Sequence, residues 1–384
     1  MLLLLTLCGT AVLAADVSRP QSAHLSFGSD GTLKILQVAD IQDDAVLGVT
    51  PRALLRAAIA QTKPDLIMLT GDNISGPSCP KKWQAETAIR AYMDIFETYG
   101  IPVAAVFGNH DDEDTELTKE EQFDVYESYN CFVGCKGVIA EKTVGGNTMK
   151  NVGTYNIPIY DAANSDKVVY NIWCFDSGNY NPDESVGGYG YVLPEQVDWY
   201  VETSKALQSA NGGELVPSIA FQHIVPPHIY RALQKVSAVT PGSVSVGNTH
   251  YALPDGVDRE SNWLSEAPCP PNTGFADGYR QLDTMLERGD VRAVFYGHDH
   301  VNHYVVPYAG IDLVSSAGCT YHSYNDRHRG FRLITIDKAN LQTYAAEYVS
   351  AKALLKRGWF KLTVQAFLER VWTWIQNKVF HIYK

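Results

Sequence analysis

Five hydrophobic runs in this chain each end at a side chain that can bind a metal ion. Their ends supply two carboxylates, one amide and three imidazoles, in the order Asp40, Asp72, Asn109, His223, His298 and His300. Carboxylate oxygens and imidazole nitrogens are common ligands of divalent cations. A buried strand that ends in a polar residue is ordinary, but five such endings in one chain indicate a shared metal centre.

These ligands predict a pair of metal ions. In open α/β sheets, residues that end separate strands converge beyond the carboxyl ends of those strands. The motifs contain no lysine or arginine, so the clustered acids need cations between them. We expect Asp72 to bridge the ions, because it belongs to the central Gly-Asp-Asn turn. The other ligands then divide, with Asp40 and His300 on one ion and Asn109, His223 and His298 on the other.

The chemistry predicted for such a centre is hydrolysis at phosphorus. Paired metal ions about 3.5–4 Å apart can clamp the attacking and leaving oxygens, and a metal-bound hydroxide would be the nucleophile. His110 follows Asn109 in the same turn, so we expect it to stabilise the transferring phosphoryl group or to protonate the leaving oxygen. Asp111 and Asp299 are expected to accept the second N–H of the ligand imidazoles.

The elements that carry these residues alternate between strands and helices. Helical periodicity or helix-ending residues predict helices over residues 51–61, 83–99, 120–129, 194–209 and 278–288. This alternation predicts an α/β architecture with largely parallel strands. Later runs at 168–175, 311–315, 331–337 and 342–349 have little helix between them, so we expect a second sheet or antiparallel additions. Together the elements predict two sheets flanked by helices.

Composition narrows the class of protein. With 384 residues and 45% hydrophobic content, the chain can bury one large core, which we assign to a domain over residues 30–350. The net charge of −12 argues against a nucleic-acid scaffold as partner but is compatible with a small phosphorylated substrate held by metal ions. Residues 237–277 are rich in Gly, Pro, Ser and Asn, and we expect a long loop over the site.

The N-terminal segment, residues 1–15, is an apolar run that ends in small residues. It predicts a secretory signal cleaved near Ala14 or Ala15, and therefore a secreted protein or one in the lumen of the secretory pathway. A buried N-terminal helix or a truncated gene model are the alternatives. Removal of Cys8 would leave six cysteines, an even number that allows disulfides without fixing their pairing. Cys174 and Cys319 lie in apolar runs and fit small buried side chains equally well.

The C-terminal segment, residues 351–384, has a different character. Seven basic residues and one acid give it a net charge of +6, which leaves −18 for the rest of the chain. Apolar residues recur at helical spacing, so we predict a basic amphipathic helix, with Gly358 as a candidate break. Two interpretations compete: peripheral contact with a membrane or a partner groove, or packing on the acidic body of the protein itself.

With these motifs in place, the sequence resembles the calcineurin-like metallophosphoesterases, and within them the short, single-domain proteins related to purple acid phosphatases. The similarity runs from about residue 34 to residue 349 and includes the motifs Phe-Asp-Ser-Gly at 175–178 and Gly-His-Asp-His-Val-Asn at 297–302. The resemblance implies a four-layer αββα sandwich with mixed sheets. It also implies a dinuclear centre of divalent or mixed-valence Mn, Zn or Fe, the same two groups of ligands, and His110 as the catalytic histidine.

The first motif departs from this family. Calcineurin-like enzymes usually carry a histidine two residues after the first aspartate, where this chain has Gln42. Purple acid phosphatases place a tyrosine three residues after the bridging aspartate, where this chain has Ser75. Because an amide is a weak neutral ligand, we expect a weaker first site that prefers Mn or Mg over Fe(III).

The sequence leaves three functions open. The favoured one is an exported, metal-dependent phosphatase that acts on phosphomonoesters. A second is a phosphodiesterase acting on nucleotides or lipid head groups. The third is a metal-poor pseudoenzyme that keeps the fold and serves as a binding module, and Gln42 is the feature that favours it.

Overall fold

The computed structural model describes residues 24–163, 165–237, 239–272 and 279–379, so the predicted signal segment lies outside the described residues. The strands in these ranges are β1 (Thr32–Val38), β2 (Leu66–Thr70), β3 (Val103–Val106), β4 (Val138–Val144), β5 (Asn147–Tyr160), β6 (Val168–Cys174), β7 (Ser218–Phe221), β8 (Gln234–Val236), β9 (Ser243–Val246), β10 (Thr249–Ala252), β11 (Val291–Tyr296), β12 (Tyr304–Tyr308), β13 (Ile311–Ser315), β14 (Gly330–Asp337) and β15 (Ala345–Ser350). The α-helices are α1 (Val49–Thr62), α2 (Lys82–Tyr99), α3 (Lys119–Glu127), α4 (Pro194–Ala210), α5 (Ile229–Ala232), α6 (Gln281–Arg288), α7 (Ala351–Leu355) and α8 (Trp359–Val379).

Two large mixed sheets form the centre of the fold. The first has the order β15-β14-β1-β2-β3, with β1, β2 and β3 parallel and β14 and β15 added antiparallel. The second has the order β12-β13-β11-β7-β6-β5-β4, with β6, β7, β11 and β13 parallel. The late runs predicted from the sequence therefore divide between the sheets. Those at 168–175 and 311–315 join the second, and those at 331–337 and 342–349 extend the first.

Helices cover the outer faces of the two sheets. One buried cluster joins Ile35 and Leu69 of the first sheet to Ile157 and Phe221 of the second, and it also contains side chains of α1 and α2. A second cluster packs Trp173 of the second sheet against side chains of α4 and α6. The layers are therefore helix, sheet, sheet and helix, which confirms the predicted αββα sandwich. Apolar area removed from water at these interfaces is the main favourable contribution to folding.

The predicted helices are present with small differences at their ends. Those predicted at 51–61, 83–99, 120–129 and 194–209 correspond to α1, α2, α3 and α4, and the one at 278–288 corresponds to α6. At the C-terminus the chain forms α7 and α8, which are separated by residues 356–358. Within the described part of the chain, Cys174 and Cys319 are buried and form no disulfide.

The segment at 237–277 is more ordered than the sequence analysis expected. It contains β9 and β10, which pair as an antiparallel hairpin, and β8 completes a three-stranded sheet. The two-residue loop of the hairpin is Gly247-Asn248, and Gly247 has a φ of 56°. Such a loop between alternating residues is a hairpin signal, so the expectation of an unstructured loop was wrong for this part.

A single hydroxyl joins the two sheets at an edge. β3 is the last strand of the first sheet, and on its open side Ala105 needs partners for its amide and carbonyl. The Tyr155 hydroxyl of β5 accepts a hydrogen bond from the Ala105 amide (3.0 Å) and donates one to the Ala105 carbonyl (2.8 Å). Tyr155 is 3% exposed, so water cannot easily replace it.

We predict that Tyr155→Phe lowers the free energy of unfolding by about 1–3 kcal/mol, because it leaves two buried backbone groups without partners. Urea denaturation measures the change. Tyr170→Phe is the matched control, since the Tyr170 hydroxyl is buried and makes no hydrogen bond within the described residues. Equal effects of the two substitutions would contradict the role assigned to Tyr155.

Candidate metal centre

The predicted ligands lie just beyond the carboxyl ends of parallel strands. Asp40 and Asp72 follow β1 and β2, and Asn109 follows β3, all in the first sheet. His223 follows β7, and His298 and His300 follow β11, in the second sheet. The structure brings five of these six side chains into two groups that share Asp72, and it buries all six to at least 93%. Asn109 precedes His110, whose backbone amide donates to Asp72.

The carboxylates and imidazoles form two groups of three. In each group, one ligand atom from every residue lies within 4.8 Å of the others. One group is Asp40, Asp72 and His300, and the other is Asp72, His223 and His298. Asp72 therefore belongs to both groups, which is the position that a bridging carboxylate requires.

Main-chain carbonyls orient two of the imidazoles. His223 Nδ1 lies 2.9 Å from the Thr70 carbonyl, and its Nε2 lies 3.3 Å from Asp72 Oδ2. His300 Nδ1 lies 2.7 Å from the Tyr324 carbonyl, and its Nε2 lies 3.5 Å from Asp40 Oδ1. Because a carbonyl can only accept, Nδ1 carries the proton in both rings. When the ring is neutral, each Nε2 has a lone pair that faces the carboxylates, as a metal ligand must. Burial would lower the pKa of His223, but the charge of Asp72 and the hydrogen bond to it raise that pKa to about 9. A metal ion would therefore displace the Nε2 proton of His223.

Asp111 and Asp299 do not orient these imidazoles, so that expectation was wrong. The Asp111 carboxylate accepts hydrogen bonds from the backbone amides of Asn73 (2.8 Å), Ile74 (3.0 Å) and Gly108 (2.7 Å). Asp299 Oδ1 accepts one from the Cys269 amide (3.2 Å). Asp111 therefore ties together the loops that follow β2 and β3. Side-chain types alone could not reveal this role, because its partners are backbone groups.

The loops hold the ligands in a strained backbone conformation. Asp40, Gln42, Asp72 and His298 all have φ between 42° and 73°, a region that residues other than glycine rarely occupy. Such strain concentrates at functional sites, where the surrounding structure enforces it. Two glycines allow the close approach: a Cβ on Gly108 would lie 2.3 Å from Asp72 Oδ1, and one on Gly71 would lie 2.5 Å from His223 Nδ1.

Three buried oxygens at this centre have no hydrogen-bond partner among the described residues. They are Asp40 Oδ2, Gln42 Oε1 and Asn109 Oδ1. Buried polar atoms in native proteins almost always have a partner, so these oxygens require one that the protein itself does not supply. All three are acceptors, and a cation would satisfy them. The residues present therefore fit a pair of metal ions.

The pKa shifts indicate the same need for positive charge. Burial raises the pKa of Asp40 well above its usual range, with a further increase from the charge of Asp72, although His223 opposes both. Burial would also raise the pKa of Asp72, but the charge of His223 and its hydrogen bond hold that pKa well below its usual range. Burial lowers the pKa of His300 to about 4, so this ring is neutral at pH 7. A cation beside Asp40 would stabilise its ionised form.

His110 lies at the rim of the centre with partners that the sequence analysis did not predict. Its backbone amide donates to Asp72 Oδ1 (2.8 Å), and its Nδ1 contacts Glu113 Oε2. Tyr180 donates from its hydroxyl to Glu113 Oε1 (2.9 Å) and stacks on Tyr189. Tyr189 in turn packs edge-on against the ring of His298, at 4.2 Å between ring centroids. The run of acids after His110 was the available signal for Glu113.

The segment before α6 flanks the centre on the side of β11. The amide of Ser265 donates to Asn302 Oδ1 (2.8 Å), and the Tyr324 hydroxyl donates to Glu266 Oε1 (3.1 Å). Tyr324 also stacks on the ring of His300, at 4.2 Å between ring centroids. Residues 265 and 266 therefore lie next to the loop that carries two ligands, although residues 273–278 of the same connection are outside the described ranges.

Comparisons with known proteins show the family of the chain. The family model described as "Calcineurin-like phosphoesterase" matches residues 33–302. The Arabidopsis thaliana protein named "Probable inactive purple acid phosphatase 28" is 30% identical, over 83% of this chain and 78% of its own length. "Probable inactive purple acid phosphatase 29" from the same plant is 28% identical, over 83% and 80%. Among solved structures, a dimetal phosphatase from Danio rerio aligns with a TM-score of 0.47 and 12% identity, over 83% of this chain and 99% of that one.

We predict that substitutions of the ligands change the metal content in steps. Asp72→Ala should remove both ions because Asp72 belongs to both groups, whereas His298→Ala and His300→Ala should each leave one. Elemental analysis of the purified proteins measures this. His250→Ala, which changes a histidine on β10 outside the centre, is the control and should keep the content of the unmodified protein. If His298→Ala and His300→Ala both lost every ion, the division into two groups would be wrong.

Proposed function

The chain belongs to the calcineurin-like phosphoesterase family, and we propose that it is a metal-dependent phosphomonoesterase that acts on a small phosphorylated substrate. The observation that carries the proposal is the position of Asp72 in two buried ligand groups. The Arabidopsis relatives are named as probable inactive purple acid phosphatases, so their names support the phosphatase class and leave the activity to be tested. The apolar segment at residues 1–15 supports action in the secretory pathway or outside the cell.

The ligand residues would hold two metal ions of the Mn, Zn or Fe class. Asp40, Asp72 and His300 would hold the first, and Asp72, Asn109, His223 and His298 the second. When bound, such a pair supplies positive charge for the phosphate and activates water. The protein's own part is to keep Asp72 ionised through His223, to direct the imidazoles inward and to exclude bulk water from the ligands. Near-complete burial of the six side chains supports this role.

His110 is suited to protonate the leaving oxygen. Glu113 accepts at Nδ1, which leaves Nε2 as the nitrogen available to the substrate. The side chain of His110 is 33% exposed, so a substrate entering from solvent can reach it. The hydrogen bond from its amide to Asp72 Oδ1 fixes its backbone beside the shared carboxylate. Glu113 thus acts as a positioning residue, itself held by Tyr180.

We predict that the protein purified with Mn²⁺ hydrolyses p-nitrophenyl phosphate faster than bis(p-nitrophenyl) phosphate. His110→Ala should lower kcat by about a hundredfold or more with no change in metal content, since it removes a general acid. Glu113→Gln should lower kcat less, and Asp114→Asn, at the exposed neighbouring position, should leave it unchanged. Preference for the diester would favour the phosphodiesterase alternative, and loss of metal from His110→Ala would show that His110 is a ligand.

A second candidate function is a pseudoenzyme that binds a partner through the same fold. The relatives are named as inactive, and Gln42 stands at the departure from the family's first motif. The Gln42 amide lies at the centre: its Nε2 donates to Asp72 Oδ2 (3.4 Å), and its Oε1 is buried without a hydrogen bond from the described residues. That oxygen can serve as a weak ligand. Gln42 therefore gives the first site a lower metal affinity than a histidine would, but the site can still bind an ion.

We predict that Gln42→His tightens the first site and raises activity when metal is limiting, because an imidazole is a stronger ligand than an amide. Metal titration followed by turnover of p-nitrophenyl phosphate gives both quantities. One tightly held ion and no hydrolysis in the unmodified protein, with activity gained in Gln42→His, would support the pseudoenzyme. An unchanged metal affinity in Gln42→His would contradict the weak-ligand assignment.

A further inference from the structure

The C-terminal helix α8 is fixed to the protein along one face. Leu362 is 2% exposed and belongs to the main hydrophobic core. Seven residues later, the Glu369 carboxylate accepts hydrogen bonds from the Thr50 amide (3.0 Å) and the Thr50 hydroxyl (2.9 Å). Thr50 lies in the first turn of α1, and Gly48, which precedes that helix, provides no side-chain cap. Glu369 therefore supplies the negative charge that a helix N-terminus favours.

The opposite face of α8 is apolar and exposed to solvent. Phe360, Val364, Phe367 and Val371 are spaced by three or four residues, so they form one stripe along the helix. At 100° per residue, this stripe lies about 180° from the face that carries Leu362 and Glu369. Phe360 is 73% exposed and Phe367 is 62% exposed, and on one flank of the helix Leu368 and Trp372 are 59% and 57% exposed. Contiguous apolar surface of this kind marks an interaction site.

The exposed charges of the C-terminal segment that carries this stripe are positive. Lys352, Lys356, Arg357 and Lys361 are exposed on α7, on α8 and on the link between them. The single acid of residues 351–384 is Glu369, and it faces α1. The segment thus presents cations to its surroundings, while the rest of the chain carries a net charge of −18.

We propose that the outer face of α8 binds the surface of an anionic lipid bilayer. Exposed aromatic and aliphatic side chains can insert at the boundary between head groups and acyl chains, and the adjacent cations pair with anionic lipids. No helix in the described part of the chain has the length and apolarity to cross a membrane, so the contact is interfacial. A second copy of this chain fits the face less well, because pairing two stripes would bring the two sets of cations together. The acidic body would be repelled by the same lipids, so the protein binds through its C-terminal segment.

Cosedimentation of the full chain with vesicles tests this proposal. We expect the protein to sediment with vesicles of phosphatidylcholine and phosphatidylserine, to remain in solution with phosphatidylcholine alone, and to be released by salt. Phe367→Ser with Leu368→Ser should lower the binding constant at least about tenfold, since two exposed apolar side chains are lost. Lys356→Glu with Lys361→Glu should lower it at least about fivefold.

Matched control variants distinguish vesicle binding by the outer face of α8 from non-specific binding by other exposed apolar or charged residues. Trp83→Ser removes an exposed aromatic side chain from α2, and Lys235→Glu reverses an exposed charge on β8, so both should bind vesicles like the unmodified protein. All variants should hydrolyse a soluble substrate equally well if the protein is active, because none touches the metal centre. Absence of vesicle binding, or binding that survives the change at Phe367 and Leu368, would overturn the proposal. A dimer in light scattering that these substitutions dissociate, without vesicle binding, would assign the face to a second copy.

Discussion

The burial of Asp40 and Asp72 side by side is the constraint on which the rest of the site depends. Two carboxylates in a dry environment repel each other, and each loses the solvation that it has in water. His223 forms an ion pair with Asp72, but Asp40 Oδ2 receives no hydrogen bond from any described residue. Only a cation resolves this arrangement while both acids stay ionised. Metal binding and the stability of the loops at this end of the molecule are therefore linked.

The surrounding backbone is built to enforce that burial. Asp111 accepts hydrogen bonds from three backbone amides in the loops after β2 and β3, and the Thr70 and Tyr324 carbonyls accept from Nδ1 of His223 and His300. Asp40 and Asp72 have left-handed backbone just after their strands, and both carboxylates are buried within the ligand groups. The loops thus bring polar side chains from the ends of two separate sheets into one buried volume. Hydrogen bonds between the loops hold the strained backbone in place.

The sequence predicted that five of these side chains come together because their positions follow from a simple rule. Residues that end parallel strands meet at one edge of a sheet, so Asp40, Asp72 and His223 could be assigned from their place after apolar runs. The partners of those ligands could not be predicted in this way. Asp111 accepts hydrogen bonds from backbone amides. His300 is oriented by the carbonyl of Tyr324, which lies 24 residues further along the chain. The β9–β10 hairpin was missed for a different reason, since its short strands were hidden within a segment rich in turn-forming residues.

The attachment of α8 relates its exposed face to the metal centre. A helix that follows a parallel strand begins near the carboxyl end of that strand, so the start of α1 and the ligand Asp40 lie at the same end of the molecule. Gln61, near the other end of α1, donates to the Leu354 carbonyl, whereas Glu369 contacts Thr50 at its start. The C-terminal segment therefore runs antiparallel along α1, toward the end that carries the ligands. It continues ten residues past Glu369, or about 15 Å of helix. A bilayer bound by α8 would thus lie along the side of the molecule formed by α1 and α8, and the C-terminal end of α8 would be the part nearest the end that carries the ligands.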